Sequence, residues 1–140
     1  MTPQASDAPN RPALLHEALT RQVIAGFHQV HNELGFGFAE SVYKAAMECV
    51  LVEAGVSVSR EMPIAVHFHG RQIASFKADL VVESAVLVEI KAMRRPDTSF
   101  EAQVLNYLRA TPIEVGLLLY FNPAPIKKRL IFTNDRKLPR

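Results

Sequence analysis

The 140-residue chain has a single cysteine, Cys49, so neither an internal disulfide nor a cysteine-rich metal cluster can form within it. Flanked by apolar residues of an expected helix, Cys49 reads as a buried, inert thiol, and a reducing compartment is the expectation. No apolar run approaches the ~18 residues that a membrane-spanning helix needs. The opening residues, MTPQASDAPNRP, hold no apolar stretch of the secretory-leader kind. Rich in Pro, Ala, Ser and Asp, residues 1–12 are expected to be disordered, and a cytoplasmic location is expected. A strong charge excess is missing too. The net charge of +2 is compatible with a phosphate-bearing partner without demanding one. Repeats, low-complexity tracts and a second domain are also lacking. The length suits one domain with a real core, expected over residues 13–134, with a frayed polar tail at 135–140.

What is present is a change of period along the chain. Leu15, Leu19, Val23, Phe27, Val30 and Leu34 recur at helical spacing, and Gly35 follows as a C-terminal cap. Two glycines in Gly35-Phe36-Gly37 predict a tight connection. A second helix is expected over residues 39–54, with Val42, Ala46, Val50 and Leu51 inward and Gly55 closing it. Beyond it the period falls to two. Ile64, Val66 and Phe68 alternate with Ala65, His67 and His69 ahead of a two-residue turn predicted at Gly70-Arg71. Further strands are expected over residues 73–82 and 85–91. Thr98-x-x-Glu101 is a capping-box signature for a helix over 99–109, set between Pro96 and Pro112. The apolar run 115–121 predicts a strand covered on both faces, and 130–132 supply a last strand. The order is ααβββαββ, an α/β chain.

The segment 79–91 carries the chemistry. About a midpoint at Ser84, a symmetric hairpin sets Asp79 opposite Glu89 and Lys77 opposite Lys91. Ala78, Leu80, Val82, Val86, Val88 and Ile90 are apolar, so that parity belongs in a core, and the charged residues share the other face. Like charges directly opposite destabilise a sheet by roughly 0.2–1 kcal/mol per pair. Facing carboxylates become favourable when a hard divalent cation lies between them, and neighbouring ammonium groups when a phosphate lies over them.

Asp79 followed by Glu89-Ile90-Lys91 resembles the split acidic pair and lysine of PD-(D/E)xK nucleases. Gln103-Val104-Leu105-Asn106-Tyr107 resembles the QxxxY motif of the RecB-like branch of that superfamily. Gly37-Phe38-Ala39-Glu40-Ser41-Val42-Tyr43 is similar to the signature of the GxxExxY protein family, and the resemblance extends over about residues 23–132. One departure is Ala78, which stands where the superfamily's name has a proline. The resemblance implies a restriction-endonuclease-like core, a mixed central sheet flanked by helices. It also implies Mg²⁺-dependent hydrolysis of phosphodiester bonds, with Mn²⁺ as substitute, in nucleic acid and foremost in DNA. Asp79, Glu89 and the carbonyl of Ile90 are then metal ligands, and Glu40 is the helical acid that completes the site. Lys91 positions the attacking water or stabilises the developing charge, and Gln103 and Tyr107 orient Lys91 or a phosphate.

The residues themselves leave plainer alternatives open. Glu40, in a first helical turn, also suits the helix macrodipole. Tyr43 either touches the phosphate backbone or packs, and Tyr107 either meets nucleic acid or buries its ring beside a wet Gln103. Lys77 is the further candidate for phosphate contact. His67 and His69 alternate on one strand, as transition-metal ligands can, but on the parity away from Asp79. His31 suits a helix C-terminus, and Arg94, Arg95, Lys127, Lys128 and Arg129 are candidates for a nucleic-acid groove or ordinary solvated surface. With no recognisable motor, DNA-reading module or iron–sulfur ligand set, substrate choice is expected to come from a homo-oligomer or a protein partner. The rivals are a catalytically silent nucleic-acid-binding module on the same fold and a protein-interaction domain. Intact Asp79, Glu89 and Lys91 argue against the first, and no feature speaks for the second.

Overall fold

Two hydrophobic layers enclose a five-stranded sheet in the computed structural model of the chain, which describes residues 15–138. Helices α1 (Glu17–Leu34) and α2 (Glu40–Glu53) precede strands β1 (Val58–Phe68), β2 (Arg71–Val82) and β3 (Val86–Lys91). Helix α3 (Thr98–Arg109), strands β4 (Val115–Tyr120) and β5 (Ile126–Ile131) and a 3-10 turn (Asn134–Arg136) follow. The strands lie in chain order, all neighbours antiparallel except β3 and β4. That parallel pair requires a crossover, which α3 supplies. The expected order ααβββαββ and the mixed, helix-flanked sheet are what the structure has. Among the described residues no helix is long and apolar enough to cross a membrane. The disorder expected for residues 1–12 lies outside the described residues.

One face of the sheet packs Leu80, Val82, Val86, Val88 and Ile90 against Val23, Phe27 and Val30 of α1 and Tyr43, Met47 and Leu51 of α2. The other packs Val81, Leu87 and Leu118 against Val104 and Leu108 of α3. Strand β4 is buried throughout, as its unbroken apolar run requires.

Several local expectations shift, most of them by about one residue. On α2 the buried stripe is Tyr43, Met47 and Leu51, leaving Val42 exposed. Each residue turns the helix by ~100°, so that offset also puts Cys49 outside, where its thiol donates to Glu53 at 3.7 Å. The hairpin turn falls on His69-Gly70, not Gly70-Arg71, because φ is +50° and +75° at those two positions. Left-handed angles at both centres give a two-residue turn the twist its strands need. At α3, Asp97 is the cap in place of Thr98. Its carboxylate accepts the Ser99 N–H at 2.9 Å, while Glu101 pairs with Lys128 at 3.2 Å. The last strand starts at Ile126, four residues before the expected 130. The described part of the tail is docked, not frayed: the Lys137 ammonium donates to the carbonyls of Thr111 (2.7 Å) and Ile113 (2.8 Å).

Helix α3 approaches the sheet over Gly116. A methyl there would stand 2.6 Å from Cγ1 of Val104, so only hydrogen fits. Gly116→Ala should therefore lower stability by about 1–3 kcal/mol through overpacking, read as a lower urea midpoint. Adding Val104→Ala should recover part of the loss. A G116A protein as stable as the wild type would show that α3 does not press on β4 there.

Candidate functional site

Strands β2 and β3 pair in the register the sequence suggests: Val82 with Val86, Val81 with Leu87, Leu80 with Val88. There the backbone ladder stops, and side chains take over. The Glu89 carboxylate accepts the Asp79 N–H at 2.7 Å, and the Asp79 carboxylate accepts the Ile90 N–H at 2.8 Å. Asp79 and Glu89 do face each other, with 8% and 3% of their surfaces exposed.

The strand changes faces at this point. Leu80 packs toward α1 and α2, whereas Ala78, of the same parity, packs toward α3 with Ile64 and Leu87. The expectation that Ala78 shares the face of Leu80 is thus corrected. The neighbouring β1 flips in step. Its ladder pairs Arg60 with Leu80 and Met62 with Ala78, and Glu61 between them has φ +53°. The β2–β3 ladder pairs residues only up to Leu80 with Val88, so Lys77 and Lys91 are not a ladder pair; Lys77 is exposed on β2, and Lys91 is half-buried at the end of β3.

From the α2 side, Lys44 places its ammonium 2.9 Å from Asp79 Oδ1 and 3.7 Å from Glu61 Oε2. Burial pulls its pKa down, but the Asp79 hydrogen bond and charge, with Glu61 and Glu40, outweigh this and raise it. Lys44 and Glu61 were not found by sequence reasoning. The only signal for Lys44 was its place four residues after Glu40, and nothing marked Glu61, whose role depends on a backbone flip.

From the other side comes α3. Gln103 Nε2 donates to the Tyr107 hydroxyl at 3.0 Å, as their four-residue spacing allows. Burial raises the Tyr107 phenol, and the negative charge of Glu89 adds to the shift. The Lys91 ammonium lies 4.4 Å from the centre of the Phe100 ring, a cation–π contact that anchors it over the first turn of α3. Burial, then the charge of Asp79, push the Glu89 carboxyl up to about 7, against the pull of the Asp79 N–H, Lys91 and Lys44.

The other sequence candidates separate clearly. Tyr43 is fully buried and stacks on Phe121 at 4.1 Å. Its hydroxyl donates to the Gly35 carbonyl at 2.8 Å and accepts the Phe38 N–H at 3.2 Å. The idea that it touches phosphate is corrected: it staples the glycine-rich connection to the core. The Tyr107 ring is also buried, against Phe76, which leaves only its hydroxyl near the site. Glu40 begins α2 and acts electrostatically on Lys44. Among the described residues no three His, Cys, Asp or Glu side chains group as a metal cluster, so Glu40 is not brought together with Asp79 and Glu89. His67 pairs with Gln72 and His69 stacks on Phe68 in the turn, away from the carboxylates. His31 Nε2 meets the Asn122 carbonyl oxygen at 2.8 Å. On β5 the basic side chains have partners within the chain. Arg129 donates to the Thr20 hydroxyl (2.6 Å) and the Leu15 carbonyl, Lys128 pairs with Glu101, and Lys127 meets His28 at 3.4 Å. Arg94 and Arg95 are exposed in the loop after β3.

Asp79 Oδ1 and Glu89 Oε1 are the carboxylate oxygens that no main-chain N–H occupies. Such hard anionic donors fit a divalent ion of the Mg²⁺ or Mn²⁺ class, and they do not form a soft or nitrogen-rich site.

A family model described as the PD-(D/E)XK nuclease superfamily matches residues 17–131. No curated protein matches the chain. Among solved structures, the chain is similar to that titled "Crystal structure of SSO0001", with a TM-score of 0.53 and 19% identity over 84% of this chain and 60% of that one. It is also similar to an alkaline exonuclease (LHK-Exo) from Laribacter hongkongensis, with a TM-score of 0.50 and 14% identity over 68% of this chain and 56% of that one. The chain thus spans less than two thirds of either neighbour's length, and the likeness is one of fold.

The raised Glu89 carboxyl has a consequence for stability. Its ordinary pKa is 4.5 and its folded one about 7, so the folded state holds the proton more tightly. That contribution is fully present below about pH 4.5 and is lost as pH rises through about 7. In chelator, urea denaturation at about pH 5 and about pH 8 should show wild type losing stability relative to Glu89→Gln across that window. A pH-independent difference between the two proteins would refute it.

Proposed function

Since the chain belongs to the PD-(D/E)XK nuclease superfamily, we propose that it hydrolyses phosphodiester bonds in DNA with the help of a divalent cation, Mg²⁺ or in its place Mn²⁺. One observation carries this reading: two nearly buried carboxylates are held together where a strand ladder breaks, each by a main-chain N–H, with an ammonium two residues along β3. A fold alone has no need of that arrangement, because ladder hydrogen bonds between apolar residues would be the less costly way to continue the sheet.

Asp79 Oδ1 and Glu89 Oε1, with the carbonyl of Ile90, would hold the cation. When bound, it supplies Lewis-acid polarisation of the scissile phosphate and lowers the pKa of a water. Lys91, steadied by the Phe100 ring, orients the attacking water or meets the charge that develops on the phosphate. Gln103 and Tyr107 are positioning residues beside Glu89. Glu40 contributes through the charge balance at Lys44, one helical turn away. The segment Gly37-Phe38-Ala39-Glu40-Ser41-Val42-Tyr43 and the Gln103–Tyr107 pair support placement in the GxxExxY family of the RecB-like branch.

A cavity of about 220 Å³ beside the end of β3, lined by Phe36, Phe38, Met93 and Arg94 among others, supports a nucleic acid as the substrate. Phe36 and Phe38 are exposed there, offering faces on which bases stack, and Arg94 offers a partner for phosphate. Lys77 is a second phosphate contact on the exposed part of β2. A homo-oligomer or protein partner supplies substrate choice. The alternative of a silent nucleic-acid-binding module has one observation in its favour, the Lys44 ammonium on Asp79 Oδ1.

Purified protein should cleave linear, circular or single-stranded DNA in Mg²⁺ or Mn²⁺, and chelator should stop it. Asp79→Ala, Glu89→Ala and Lys91→Ala should each lower the rate by roughly 10²-fold or more while leaving circular dichroism unchanged. Binding without cleavage, indifferent to Asp79→Ala, would establish the silent module instead. Neither binding nor cleavage of DNA or RNA would point to a protein-interaction domain.

A further inference from the structure

We infer that Lys44 is a built-in counter-cation: it neutralises the metal-free site by occupying Asp79 Oδ1, and a divalent cation must displace it in order to bind. The inference rests on the reading of Asp79 and Glu89 as metal ligands.

Asp79 has two carboxylate oxygens, and Oδ2 is committed to the Ile90 N–H at 2.8 Å. Its other oxygen, Oδ1, is covered by the Lys44 ammonium at 2.9 Å. Of Glu89, Oε2 is committed to the Asp79 N–H at 2.7 Å. A cation held by both residues therefore needs Oδ1, the one oxygen that Lys44 occupies. Releasing a main-chain N–H instead would strand a buried donor without a partner. An ammonium is the easier group to move. Its ion-pair partners are the side chains of Asp79 and Glu61, and a divalent cation on the same oxygen would repel it.

The site also provides somewhere for Lys44 to go. Glu61 Oε2 lies 3.7 Å from the ammonium, on the flipped residue of β1 and nearer to solvent, with 45% of its side chain exposed against 11% for Asp79. Glu40 adds negative charge from the same helix. A short swing toward Glu61 would keep Lys44 paired and free Oδ1. Without any cation, two nearly buried carboxylates would face each other unneutralised, which is the costly case that Lys44 prevents.

Titration calorimetry with Mn²⁺ alone tests this without reference to catalysis. Lys44→Met should bind Mn²⁺ about tenfold tighter than wild type or better, and its melting temperature in chelator should fall and be restored by Mn²⁺. Lys44→Gln serves the same purpose should the methionine variant not fold, and Lys44→Arg, which keeps the charge, should bind no tighter than wild type. Asp79→Asn should abolish binding in every background. Equal or weaker Mn²⁺ binding by both uncharged variants, with Asp79→Asn still abolishing it, would overturn the role of Lys44 and leave the metal site standing. Absence of Mn²⁺ binding by wild type and variants alike, or binding that survives Asp79→Asn, would instead remove the metal site and the inference with it.

Discussion

Two carboxylates on neighbouring strands repel each other and lose their hydration when buried, so they persist only where fixed donors replace the water. Here the donors are two peptide N–H groups. Asp79 and Glu89 exchange side chains for ladder bonds, each accepting from the other strand's backbone at 2.7 and 2.8 Å. The exchange ends the β2–β3 ladder and leaves one oxygen of each carboxylate without a main-chain donor, that of Asp79 taken up by the Lys44 ammonium. Every other feature of the site depends on that substitution.

The surrounding fold supplies groups to this break from both layers. The face reversal at Asp79 and Glu61 brings the α2 side, with Lys44, against the same carboxylates that Tyr107 approaches from α3. Close packing of α3 over Gly116 sets the depth of that helix, and so the distance of Gln103 and Tyr107 from Glu89. On the opposite side, the buried Tyr43 hydroxyl bonds both ends of the glycine connection, which keeps Phe36 and Phe38 displayed beside the end of β3. Core residues and site residues thus alternate along the same short elements, and the one class positions the other.

Charge completes the picture. Asp79, Glu89 and Glu61 bring three formal negatives to the break, and Lys44 and Lys91 bring two positives. Burial first, and the Asp79 charge second, push the Glu89 carboxyl up to about 7 against the pull of both lysines. Lys91 lies over an aromatic ring. Lys44 has carboxylates on two sides and can move between them.

Much of this was legible in the chain itself. Side-chain parity about Ser84 was enough to set Leu80 against Val88 and to bring Asp79 and Glu89 within reach of each other's strands, because a strand alternates faces and a register slip would have exposed the apolar set. Periodicity likewise marked the helices and the order of elements, within a residue or so at the caps and turns. What the chain could not show was where alternation fails. The flip at Asp79 and Glu61, the inward turn of Tyr43 and the arrival of Lys44 come from packing between elements distant in sequence. A period-two pattern records which residues avoid water, but the direction of a polar side chain at a broken ladder is decided by whichever donor the folded neighbours bring within reach.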